Sequence, residues 1–126
     1  MSSSDKTNNT HGILPQDSKK RKEFPIATGV LDYFPDAIVV VAQVSKIGND
    51  QHNPGQPLHW AREKSDDHAD CLARHLMERG TLDSDGLRHS AKLAWRALAL
   101  LQLELERAQE GHNGKVDLDD SPPGRG

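Results

Sequence analysis

The 126-residue chain has one cysteine, Cys71, few aromatic side chains and no apolar run near the ~20 residues of a membrane helix. A lone cysteine excludes an intramolecular disulfide and any multi-cysteine zinc site. That suits a reducing interior, and the expected compartment is the cytoplasm. The N-terminal segment carries Ser and Asn where a secretory leader needs an apolar stretch. The net charge of −3 lacks the basic excess with which general nucleic-acid binders neutralise phosphate, so neither a membrane nor nucleic acid at large is an expected partner. The basic run "KKRK" at 19–22 reads as solvated charge.

Both ends are poor in apolar residues. Residues 1–23 offer little beyond the isolated Ile13 and Leu14, and 111–126, "GHNGKVDLDDSPPGRG", is rich in Gly, Pro and Asp. Neither can bury enough surface to offset the entropy of ordering, so both are expected to be disordered tails around a domain at 24–110. At that size a single core is marginal and association helps.

The domain reads as all-α, with three to four helices and a long functional loop. In "LDYFPDAIVVVAQVSKIGND", Asp32 is a cap candidate, Pro35 falls in the first turn, and Gly48 is expected to end the helix. The β-branched run at 38–41 also suits a buried strand, but no partner strand is legible elsewhere. "NPGQP" then breaks the chain and leaves a loop at 49–64, long enough to suggest function. A second helix is expected from a cap at Ser65 to Arg79, closed by Gly80, and a third from Asp85 to about Ala108. Along the third, Leu87, Ala91, Ala94, Leu98, Leu101 and Leu105 follow a coiled-coil spacing, while Leu93, Trp95, Leu100 and Leu103 lie off that seam. Two apolar faces exceed what two partner helices can cover, which predicts a homodimer through the third helix.

Polar residues suggest a site without fixing one. Residues 48–75 gather His52, His59, His68 and His75, four of the seven histidines. On the second helix His68 and His75 share one border of the apolar stripe, whereas Asp67 and Asp70 lie toward the other side, about 60° apart. One ion therefore takes either the carboxylate pair or the histidines, or else all four are surface. On the third helix Asp85, His89, Lys92 and Arg96 form a line beside the seam. Two cations near carboxylates and imidazoles suit a phosphorylated ligand part-neutralised by a divalent metal; the plainer reading is a hydrated face with His89 satisfied by Asp85. Trp60 could stack a base or close the core.

The blocks "GVLDYFPDAI", "VSKIGNDQHNPGQPLHW", "KSDDHADCLARHL", "RG" with "DSDG", and "HSAKLAWRALALLQLELE", in this order, resemble the N-terminal domain of the phage and prophage dATP/dGTP diphosphohydrolases. The resemblance implies hydrolysis of deoxypurine nucleoside triphosphates to monophosphate and pyrophosphate, in control of phage nucleotide pools. It also implies an outline similar to the all-α nucleoside-triphosphate pyrophosphohydrolases, which hold magnesium or manganese on helix carboxylates. The E-E-x-x-E of those enzymes is absent, and only Asp67-x-x-Asp70 looks like their second element. On this reading Asp67 and Asp70 are the Mg or Mn ligands, and His68, His75 and His89 are catalytic as ligands or proton carriers. Lys64, Lys92 and Arg96 bind phosphate, and His52 and Trp60 bind the base. The alternative is a non-catalytic helical interaction module whose polar stripes are only its surface.

Overall fold

The computed structural model describes residues 12–64 and 66–111. These residues are mostly helical and contain no strand beyond an isolated bridge between Leu82 and Arg88. They fall in two compact units, one over Pro25–Leu103 and the other including the segment up to Phe24 and the chain from Glu104 onward.

Part of the expected N-terminal tail is a capped turn. Helix α1, Ser18–Arg21, starts at Asp17, whose Oδ2 accepts from the Lys20 backbone N–H at 3.1 Å. Arg21 adds a bond from Nη1 to the Pro15 carbonyl at 2.8 Å. The rest of both expected tails, 1–11 and 112–126, lies outside the described residues, as does the expected cap at Ser65.

Helix α2, Pro35–His52, is the first expected helix and takes the β-branched run at 38–41 into helical form. Asp32 is not its cap. It closes a preceding π-helical turn, Ala27–Leu31, by donating its N–H to the Ala27 carbonyl at 2.8 Å. Gly48 does not end α2 either, because an interior glycine costs a helix only about 1 kcal/mol and adjoining turns carry it through. The stop comes at Asn53, in extended φ of −136°, because the ring of Pro54 clashes with a helical residue before it.

The loop after α2 is tied back to it by Asn49, which is buried. Its Nδ2 donates to the Gln56 carbonyl at 3.1 Å and its Oδ1 accepts from the His59 N–H at 3.2 Å. A short 3-10 turn, Arg62–Lys64, leads into α3, His68–Met77, whose N-terminal flank is Asp67. Beyond α3 the chain reverses through Gly80 and Gly86, both at positive φ where glycine has no Cβ penalty. Between them Asp83 donates its N–H to the Leu87 carbonyl at 2.7 Å, and Asp85 Oδ1 accepts from the Leu87 N–H at 3.1 Å. Those turn bonds delay α4 to His89–Gly111, four residues later than expected from the apolar spacing.

Among the described residues the buried apolar ones are Leu87, Ala91 and Ala99. The expected seam of α4 is therefore only half covered: Leu98 and Leu101 are 54% and 51% exposed. The covered side runs instead through Ala91, half-buried Trp95 and Ala99. Trp95 packs edge-on to Trp60, with centroids 5.7 Å apart, and donates Nε1–H to Ser45 Oγ of α2 at 2.6 Å.

With so little apolar burial, single polar ties carry weight. Asn49→Ala leaves two loop groups without their partner and should cost about 1–3 kcal/mol, the usual penalty for an orphaned buried group. Thermal melting should show a drop of several degrees, whereas Asp50→Ala, which removes an exposed pair with Lys46, should leave the midpoint almost unchanged. Equal midpoints for the two variants would contradict the role given to Asn49.

Candidate metal centre

The reversal between α3 and α4 sets the last turn of one helix beside the first residue of the next. His75, in the last turn of α3, and His89, opening α4, face each other with Nδ1 atoms 2.9 Å apart and ring centroids 5.1 Å apart. At that distance one ring nitrogen donates and the other accepts, so a single proton lies between them. Asp83, from the turn, joins them: ligating atoms of His75, Asp83 and His89 all lie within 4.8 Å of one another. Two imidazoles and a carboxylate are a donor set that can hold a divalent ion.

A cation borders this group. Lys92, one turn into α4, donates to Asp83 Oδ2 at 2.7 Å and to Asp85 Oδ2 at 2.8 Å. The hydrogen bond from Lys92, followed by that from the Ser84 N–H, holds the Asp83 carboxyl down to about 2. Asp85 is lowered too, first by Lys92 and then by the Leu87 N–H. Burial works against the Lys92 ammonium, but its two carboxylate partners outweigh it and leave its pKa raised. Burial, then the neighbouring His89 and Lys92, push His75 below its ordinary value. His89 is buried, with Nε2 3.7 Å from Glu78 Oε1.

A second group lies along α4 from the first. Arg96, four residues past Lys92, donates from Nη1 to Nδ1 of buried His68 at 3.0 Å. A guanidinium only donates, so His68 accepts through Nδ1. Its ring lies 6.4 Å from that of Trp95. On the other side of the tryptophan pair, the Arg62 guanidinium sits 4.2 Å above Trp60.

Of the expected site residues, the structure thus gathers His75, His89 and Lys92 in one cluster, and His68 with Arg96 in the next. Asp67 and Asp70 contribute no atom to the ligand group. They belong to the opposite end of α3 from His75, and the eight residues from Asp67 to His75 span about 12 Å of helix axis. Asp67 instead accepts from Cys71 Sγ at 3.5 Å and lies 3.9 Å from Arg74; Asp70 is exposed. His89 is satisfied by His75 and not by Asp85, which has become a partner of Lys92. Trp60 is half-buried against Trp95, so its inner edge closes the core. His52 and Lys64 are exposed and contribute nothing to either cluster. Asp83 was missed, because a turn has no periodicity from which to place a side chain. The usable signal is an acid between a histidine ending one helix and a histidine opening the next, across a turn bounded by Gly80 and Gly86.

Fold and cluster together define a small helical domain with a cation-lined imidazole–carboxylate centre at a helix junction. The chain matches the family model described as dATP/dGTP diphosphohydrolase, N-terminal, over residues 15–113, and it belongs to that family. No curated protein and no solved structure matches it.

The pairing sets a dependence on pH. Asp83 titrates near 2 when folded and near 3.8 when unfolded, so the stability it contributes is full above about 3.8 and is lost as the pH falls toward 2. His75 acts in the same direction: below 6.5 the unfolded imidazole takes up its proton first, which weakens the fold as acid is added. Melting temperature against pH should therefore fall below 6.5 and again below 4, and Asp83→Asn should flatten the lower limb. A wild-type slope in that variant would contradict the Asp83–Lys92 pairing.

Proposed function

We propose that this domain binds deoxypurine nucleoside triphosphates and hydrolyses them to the monophosphate and pyrophosphate with a divalent metal. The family description names dATP and dGTP as the substrates of the enzymes concerned. The observation that carries the reading to this chain is the junction of His75, Asp83 and His89, with Lys92 and Arg96 on successive turns of α4 beside it. His75, Asp83 and His89 would hold a divalent ion there, which would supply Lewis acidity for attack of water at the α-phosphorus.

The chain's own groups do the rest. Lys92 and Arg96 present two cations along one helix face to a polyphosphate, where charge builds as the anhydride breaks. The water oxygen bonds to the α-phosphorus, the bond to the bridging oxygen breaks, and pyrophosphate leaves with its electron pair. The water proton passes to a base, a role we assign to the Glu78 carboxylate, 3.7 Å from His89 Nε2. Trp60, whose inner edge is fixed by Trp95, offers its outer face to the purine in place of Arg62. Asp67 and Asp70 take no part in this version of the site.

The reading includes a homodimer, since Leu98 and Leu101 on α4 are half exposed in a chain with few buried apolar residues. Leu98→Glu should lower the sedimenting mass to that of a monomer, and a wild-type chain that is monomeric at every concentration would remove this part. No described helix is long and apolar enough to cross a membrane.

A second reading has its own support: the matching family model is that of an N-terminal domain, and E-E-x-x-E is absent. On that reading the domain is a non-catalytic helical module. The two separate on incubation of the chain with each deoxynucleoside triphosphate and manganese or magnesium, resolving pyrophosphate from phosphate. The enzyme reading expects pyrophosphate from dATP or dGTP, lost by about a hundredfold or more in His75→Ala and retained in Asp67→Asn. No release from any triphosphate would leave the module.

A further inference from the structure

The donor set of the helix junction is unusual for a nucleotide site in one respect: two of its three members are nitrogen. Magnesium demands near-octahedral oxygen and keeps much of its water, whereas manganese, cobalt and zinc accept imidazole readily. Among the described residues the group that converges is His75, Asp83 and His89, and no second carboxylate joins it. The exposed aspartates of α3, which would have made an oxygen-rich site, lie outside it.

The carboxylate of that group is also engaged at both oxygens. Asp83 Oδ1 accepts from the Ser84 N–H at 2.7 Å and Oδ2 accepts from Lys92 Nζ at 2.7 Å. An ion at Asp83 Oδ2 competes with the ammonium, because a dication and an ammonium on one carboxylate oxygen repel each other. Lys92 has somewhere to go. Asp85 Oδ2 lies 2.8 Å from the same nitrogen, and the Asp85 carboxylate is fixed by the Leu87 N–H through its other oxygen. The exchange therefore leaves no buried charge unpaired, which is the condition that makes such a swap cheap.

We propose that His75, Asp83 and His89 form a site selective for a first-row transition dication over magnesium, and that Lys92 is its placeholder, bridging Asp83 and Asp85 until the ion leaves it on Asp85 alone. This rests on the metal-centre reading above and adds the ion class and the exchange. Held on Asp85, the ammonium would remain on the same face of α4 as Arg96 and be available to a ligand phosphate.

Binding of manganese, zinc and magnesium chlorides to the full chain without nucleotide, by titration calorimetry and by shift of melting temperature, tests each part separately. Manganese or zinc should bind and raise the midpoint, magnesium at the same concentration should not, and His75→Ala and His89→Ala should abolish the effect. Lys92→Met, which removes the competing cation, should bind the ion about tenfold more tightly. Asp85→Asn, which removes the alternative partner, should bind it more weakly and reports on the exchange even if Lys92→Met does not fold. Magnesium binding as tight as manganese overturns the selectivity. Unchanged or weaker binding in Lys92→Met, or wild-type affinity in Asp85→Asn, overturns the placeholder. Ion binding that survives both histidine substitutions means that the metal centre itself is misassigned.

Discussion

Lys92 bridges Asp83 and Asp85 at 2.7 and 2.8 Å, and the geometry of the α3–α4 junction depends on that three-charge contact. The turn between the helices contributes one buried apolar side chain, Leu87, so its shape comes from turn bonds and this bridge more than from packing. All three side chains are only about a quarter exposed, which makes the bridge worth more than an ordinary surface pair. Without an ion, the bridge and the Ser84 N–H together hold Asp83 beside His75 and His89; an ion on the three donors would take over the part of Lys92. The same carboxylate that fastens the turn is the one that would hold an ion, so folding and binding draw on one residue.

Elsewhere the domain relies on polar ties of the same kind. Asn49 holds the long loop to α2, Ser45 accepts from Trp95 across the α2–α4 contact, and Arg96 holds His68. Each fixes a direction that apolar contact alone would leave loose. Small residues at Ala91 and Ala99 bring α4 close to its neighbours but bury little area. That economy explains why α4 keeps leucines on an uncovered side and why a second copy is the cover proposed for them.

Most of the helical architecture was legible in the sequence, since α2, α3 and α4 announce themselves through apolar spacing and Pro and Gly boundaries. The errors fall where local rules compete. Gly48 looked like a terminator, but Pro54 acts on its predecessor more strongly than one interior glycine. Asp85 looked like a helix start, but its carboxylate serves the turn, and α4 waits for His89. The grouping of side chains was half legible: His75, His89, Lys92, His68 and Arg96 were all singled out, yet as members of two separate helix faces. A helical wheel relates residues on one helix and is silent on which ends of two helices meet. Asp67 and Asp70 drew the metal role because Asp67-x-x-Asp70 resembles the second carboxylate element of the pyrophosphohydrolases, while Asp83 sits in a turn where no period places it. The family resemblance, by contrast, was carried by blocks spread along the whole domain, and the family match over 15–113 agrees with it.

Anomalous diffraction from crystals of the full chain grown with manganese measures most directly whether an ion lies between the end of α3 and the start of α4. A peak within bonding distance of His75, Asp83 and His89 is expected, with the Lys92 ammonium on Asp85 alone. A peak at Asp67 and Asp70, with the imidazole pair still closed on itself, would contradict it.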